Sequence, residues 1–137
     1  MIYKLLDYLI NQLSDVFTGR ANLPVTVKIS GETSLPPKAQ SVFYRVCQEA
    51  LNNIAKHAEA SRVEITFRNK ISKATLCVND NGRGFDTHKL HDHHYGLAMM
   101  RERAASIGAT LIVNSRPGHG TQLLLSWNKT MEPAGGS

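Results

Sequence analysis

The chain has 137 residues, 42% of them hydrophobic and 20% charged, which is the range of one ordinary globular domain able to close a single core. Its formal charge of +5 is spread with no run of three or more Lys or Arg, so it reads as a solvated basic surface; polyphosphate would satisfy it as well as nucleic acid, and no nucleic-acid partner is expected. Cys47 and Cys77 stand among apolar neighbours in no CxxC or Cys/His spacing, which argues against a metal knuckle or a disulfide framework and fits a reducing, cytoplasmic setting.

Ile2, Leu5, Leu6, Leu9, Ile10, Leu13, Val16 and Phe17 recur at three-and-four spacing, predicting an N-terminal helix that Gly19 ends. Its stripe reads first as core and second as a short coiled-coil seam. Lys4, Asp7, Asn11 and Asp15 interrupt it well short of a spanning length, so no membrane contact is expected of this stretch. Val25, Val27 and Ile29 alternate as a first strand, and Gly31 to Leu35 is turn-like. Pro36 and Pro37 suit the first turn of a helix, where a missing N–H does no harm. From Ser41 to Ala58 the set Phe43, Val46, Cys47, Ala50, Leu51, Ile54 and Ala58 keeps the helical period throughout.

Val63, Ile65 and Phe67 alternate, as do Ala74, Leu76 and Val78, with Arg68 to Lys73 as the hairpin connection. Asp80 to Asp86 is a Gly-rich loop, and Thr87 to Tyr95, with His88, His91, His93 and His94, reads as a mobile, solvated loop rather than a metal site. A helix follows from Leu97 to Ile107, stopped by Gly108, then a strand around Leu111 to Val113, a turn through Pro117 and Gly118, and a last strand from Thr121 to Trp127. Hairpins with helices on the crossovers predict an α/β (α+β) two-layer sandwich, a mixed sheet covered on one face by about three helices.

Three stretches carry chemistry. Glu49, Asn53 and His57 are each four apart and line one helical face at the flank of the apolar stripe. A carboxylate and an amide oxygen in one row are hard ligands suited to a magnesium ion that meets substrate phosphates, and Lys56, one step round, supplies a point charge. The plain alternative is the polar side of an amphipathic helix. Asp80-Asn81-Gly82-Arg83-Gly84 follows an apolar strand: Asp80 is an acceptor for the exocyclic amino group of a purine, which adenine offers and guanine does not at the same ring position, while Gly82 and Gly84 let a ring or phosphate approach the backbone. An Asp-Asn-Gly turn is the plain alternative. Gly96 stands where loop becomes helix, so free N–H groups there can meet a phosphate.

In order and spacing these stretches resemble the ATP-binding domain of bacterial sensor histidine kinases. Glu49 to Ala58 resembles the N box, Asp80 to Gly84 the first glycine box, Gly96 to Ala104 the second, and Gly118-His119-Gly120-Thr121 the closing Gly-Thr element. The resemblance covers roughly Val25 to Trp127 and implies the Bergerat fold shared with DNA gyrase B, the heat-shock chaperone ATPases and the mismatch-repair ATPases. It implies ATP and Mg2+ as ligands, with Asn53 on the metal, and Asn53, His57, Asp80, Gly82, Gly84, Gly96, Leu97, Gly120 and Thr121 around the nucleotide. Glu49 and Lys56 are the implied catalytic residues, Glu49 polarising the acceptor and Lys56 neutralising charge.

The Met-Arg-Glu-Arg-Ala run and His94-Tyr95-Gly96-Leu97 are similar to the nitrate/nitrite-sensor group, while Ala98 departs from the Gly usual at that position of the lid. The implied organisation is a leading helix over 1–20, the ATP-binding domain over 21–130 and a disordered tail over 131–137. The implied partners are a histidine-bearing dimerisation domain, expected to be absent from this chain, and a response regulator, within a parent protein anchored at the membrane. His91-Asp92 has the composition of a phosphoacceptor pair but sits in the lid, the wrong setting. The competing readings are an anti-sigma-factor serine kinase of the same fold, whose second glycine box usually lacks the Arg101 to Ala104 continuation, and a non-catalytic interaction module, against which Asn53, Asp80 and Gly82 speak.

Overall fold

The computed structural model describes residues 5–31, 35–86 and 95–129, with the side chains of His57, Ala58 and Tyr95 outside that description. The order is α1 (Leu5–Ala21), β1 (Val25–Ser30), α2 (Pro37–Asn53), β2 (Val63–Asn69), β3 (Lys73–Asp80), α3 (Tyr95–Ala105), β4 (Thr110–Ser115) and β5 (Thr121–Asn128). The strands form one sheet in the order β1-β2-β3-β5-β4, with β1 parallel to β2 and every other pair antiparallel. The helices cover one face, and the two-layer α/β sandwich with a mixed sheet stands as expected from the hydrophobic patterns.

The core lies between α2 and the central strands. Val63, Ile65 and Phe67 of β2, Ala74, Leu76 and Val78 of β3, and Leu123 and Leu125 of β5 are all buried, because alternate side chains of a strand share one face. Val42, Phe43, Val46, Cys47, Ala50, Leu51 and Ile54 meet them from α2, and the Phe43 and Phe67 rings pack edge to face at 5.8 Å. Val25, Val27 and Ile29 are only half-buried, since β1 is an edge strand.

Five expectations need correction. α1 runs past Gly19 to Ala21, and it is Asn22, in the left-handed region at φ 56°, that ends it. Its inward face is Leu6, Ile10, Ser14 and Phe17; Leu5 and Val16 are 47% and 57% exposed, so the proposed stripe is too wide. α2 begins at Pro37 and keeps the α-helical winding only to Asn53, after which Ile54–Ala58 is wound more widely, with i→i+5 hydrogen bonds, and Glu59 leaves it at φ 50°. The β2–β3 connection is shorter than Arg68 to Lys73, because β2 extends to Asn69 and the Lys70 N–H donates to the Lys73 carbonyl. α3 ends at Ala105, two residues before Ile107, where the Ala109 N–H closes back on the Ala104 carbonyl.

Candidate functional site

Asp80 is the last residue of β3, paired with Val63 on one side and with Thr121, the first residue of β5, on the other; Thr121 in turn pairs with Ser115, the last residue of β4. A cross-strand row shares one face, and the neighbouring members of the same alternation, Val78, Leu123 and Leu111, are buried. Asp80, Thr121 and Ser115 therefore line the helix-covered side at one end of the sheet. The Asp80 carboxylate accepts the Gly82 N–H at 2.8 Å. Burial pushes its pKa above the ordinary value, while hydrogen bonds from the Gly82 and Thr121 backbones act in the opposite sense.

The loop after Asp80 is pinned at both ends. Asn81 faces away from the row: its Oδ1 accepts the Ser61 and Arg62 N–H groups at 2.9 and 3.0 Å, and its Nδ2 donates to Ser61 Oγ at 2.7 Å. Further on, the Gly118 N–H donates to the Arg83 carbonyl at 2.6 Å and the Phe85 N–H to Ser115 Oγ at 2.9 Å, fastening the loop to the β4–β5 hairpin. Gly84 sits at φ 63°, and a Cβ there would overlap the Arg116 carbonyl oxygen; Gly120 sits at φ 71°, and a Cβ there would overlap the Asp80 carbonyl oxygen. Only glycine allows both the backbone conformation and the close approach. At this end of the sheet lies a cleft of about 610 Å3, within the size range of small-molecule sites, lined by Asp80, Ser115, Gly120 and Thr121, by Arg116 and His119 of the hairpin, and by Asn79, Asn114 and Gln122 of the adjacent row, which faces the other way.

A second cluster lies between α2 and α3. Glu49 and Asn53 are half-buried, and a Cβ on Gly96 would lie 3.2 Å from Glu49 Cδ and 3.3 Å from Asn53 Nδ2. The absence of a side chain at Gly96 lets the first turn of α3 come against this polar face. Leu97, Met100 and Ala104 are buried and hold α3 to the core. Lys56 is exposed in the widely wound segment. The helix winds more widely after Asn53, and the side chain of His57 lies outside the described residues, as do His88, His91, His93 and His94. Among the described residues no group of three or more His, Cys, Asp or Glu could hold a metal ion.

The structure thus brings together Asp80, Gly82, Gly84, Gly120 and Thr121, and separately Glu49, Asn53, Gly96 and Leu97. Sequence reasoning missed Ser115 and Arg116, and named His119 only as part of the closing Gly-Thr element. A signal existed, since a hairpin turning through Pro117 and Gly118 with Thr121 opening its second strand sets Ser115 opposite Thr121.

The sequence profile described as histidine kinase-, DNA gyrase B-, and HSP90-like ATPase matches residues 38–130, and the chain belongs to this family of ATP-binding domains. Among curated relatives, the chain is 34% identical over 114 residues to the sensor histidine kinase LiaS of Bacillus subtilis (strain 168), covering 83% of this chain and 31% of LiaS. It is 34% identical over 97 residues to the signal transduction histidine-protein kinase/phosphatase DegS of Brevibacillus brevis, covering 71% of this chain and 25% of DegS. The chain thus spans a quarter to a third of the length of these relatives. In fold it resembles the catalytic domain of histidine kinase ThkA, with a TM-score of 0.71 at 16% identity over 93% of this chain and 95% of that one. It likewise resembles the blue-light activated histidine kinase of Erythrobacter litoralis EL346, with a TM-score of 0.74 at 19% identity over 95% of this chain and 46% of that one.

Proposed function

We propose that this chain is the catalytic domain of a sensor histidine kinase, binding Mg-ATP and passing the γ-phosphoryl group to a histidine on a dimerisation domain, from which a response regulator receives it. The observation that carries this reading is the Asp80 carboxylate at the sheet end, held by Gly82 and Thr121 beside a cleft whose lining glycine, Gly120, admits no side chain. The family match and the kinase relatives support it. The proposed ATP-binding domain spans 21–130, preceded by a leading segment over 1–20 that contains most of α1 and followed by a segment over 131–137. A parent anchored in the membrane with this domain in the cytoplasm completes the reading; no helix of the described residues is long and apolar enough to cross a membrane.

Within it, Asp80 accepts a hydrogen bond from the adenine amino group, with Thr121 and Gly120 beside it. Gly82 and Gly84 keep the wall backbone-only. Asn53 offers its amide oxygen to magnesium, and the half-buried Glu49–Asn53 face opposite Gly96 fits a hard cation that retains water. Magnesium, when bound, neutralises phosphate charge. Lys56 adds a mobile positive charge, the first N–H groups of α3 at Gly96 and Leu97 face phosphate oxygens, and His57 joins the nucleotide-binding set through its place in the N box. Glu49 orients and polarises the acceptor imidazole, so that its nitrogen forms the new P–N bond as the bond to the bridging oxygen breaks and ADP leaves. Grouping with nitrate/nitrite sensors would rest on His94 to Leu97, of which His94 lies outside the described residues.

The test is calorimetric titration with a non-hydrolysable ATP analogue, with and without magnesium, and with the GTP analogue as control. Magnesium-dependent binding of the adenine nucleotide is expected; failure of both nucleotides to bind would remove the nucleotide site from this chain.

A further inference from the structure

Ser115 stands at the junction of three chain segments. Its Oγ accepts the Phe85 N–H at 2.9 Å, lies 3.1 Å from the Gly120 carbonyl oxygen and 2.8 Å from Thr121 Oγ1. A hydroxyl has one hydrogen to give and two lone pairs to receive. The Gly120 carbonyl can only accept, and either oxygen can donate in the contact with Thr121, so the arrangement that makes a hydrogen bond of both contacts gives the Ser115 hydrogen to Gly120. One Ser115 lone pair takes the Phe85 N–H, and the other takes the hydrogen of the Thr121 hydroxyl. Thr121 is thereby left with acceptor lone pairs alone, in the same cross-strand row as the Asp80 carboxylate.

Resting on the ATP-binding reading above, we propose that Ser115 is a positioning and specificity-determining residue of this cleft. It turns Thr121 into a second acceptor beside Asp80, so that the site selects a ligand edge bearing an amino group over one bearing a carbonyl. Adenine presents two amino hydrogens where guanine presents a carbonyl oxygen. The same hydroxyl fastens the 81–86 loop to the hairpin, but that fastening alone would affect both nucleotides alike. With Ser115 replaced by alanine, Thr121 gains a free hydrogen and can donate to a carbonyl, which weakens discrimination as well as affinity.

The experiment displaces a fluorescent ATP analogue with ATP and with GTP from the parent chain and from the Ser115→Ala, Ser115→Cys, Ser115→Thr and Asp80→Asn variants, each checked for cooperative unfolding. Ser115→Ala should lower the ATP-over-GTP preference by about three- to tenfold, the range of one neutral hydrogen bond, and Ser115→Thr should restore it. Ser115→Cys, similar in volume and a weak hydrogen-bonding group, should fall in the same direction and serves if the alanine variant does not fold. An unchanged preference, or an equal loss for both nucleotides, overturns the role of Ser115. If neither the parent nor any variant binds ATP, it is the nucleotide reading that fails; if the parent binds and Asp80→Asn loses selectivity while Ser115→Ala does not, the Ser115 proposal alone falls.

Discussion

Replacing Gly84 by alanine puts the coupling between the Asp80 loop and the β4–β5 hairpin to a direct test. Two costs combine. Gly84 lies at φ 63°, a conformation that costs an L-residue about 1–2 kcal/mol. The new methyl would also overlap the Arg116 carbonyl oxygen and come within 2.8 Å of the Gly120 oxygen, both of them backbone atoms that cannot rotate away. Relief requires the loop to lift, which breaks the bonds from Gly118 N–H to Arg83 O and from Phe85 N–H to Ser115 Oγ, at about 1 kcal/mol each. The expected loss is about 3–4 kcal/mol in urea unfolding, with nucleotide affinity reduced at least tenfold because the cleft wall moves. Gly118→Ala is the control: it has φ 81° but nothing within 4 Å of the added carbon, so strain alone applies, about 1–2 kcal/mol. If Gly84→Ala proves no more destabilising than Gly118→Ala, the close approach of loop and hairpin is refuted.

Three further expectations follow from the same geometry. Asn53→Ala should remove the magnesium-dependent increment of nucleotide affinity while leaving the unfolding transition cooperative; isothermal titration of a variant that still responds to magnesium would take Asn53 out of the metal role. Burial raises the Asp80 pKa above its ordinary 3.8, so the folded state keeps this proton to higher pH than the unfolded state, and stability falls as pH rises through that window. Asp80→Asn should accordingly be more resistant to urea than the parent at pH 7, with the gap closing below pH 3.8, and a variant weaker at every pH would contradict the desolvation argument. Cys47 is fully buried, with its thiol pushed up to about 12, whereas Cys77 is half-buried on the uncovered sheet face; a thiol reagent should label Cys77 in the native state and Cys47 only on unfolding, as peptide mapping would reveal.

The sheet and the main helix were legible in the sequence because their signals are local. Period-two alternation at Val63 to Phe67 and Ala74 to Val78 encodes one buried face, and the three-and-four spacing from Phe43 to Ile54 encodes the helix that covers it. The Asp80, Gly84 and Gly120 positions were legible for a related reason: glycines flanking a strand end signal backbone constraint whatever the fold around them. The end of α1 was misjudged because Gly19 has the right composition for a stop, while the helix continues to Ala21, which packs against the core. The wider winding after Asn53 has no local signature at all.

What tertiary structure decided is which distant atoms meet. Ser115 acquires its role only because β4 and β5 pair in the register that sets it opposite Thr121, 6 residues on, and because the loop 30 residues earlier folds onto it. Gly96 meets Glu49 and Asn53 across more than forty positions of chain only through the packing of α3 on α2. Side-chain type and spacing, read along the chain, carry the chemistry available to each segment. The direction of a single hydroxyl hydrogen depends on every acceptor around it, and those acceptors come together only when the strands close.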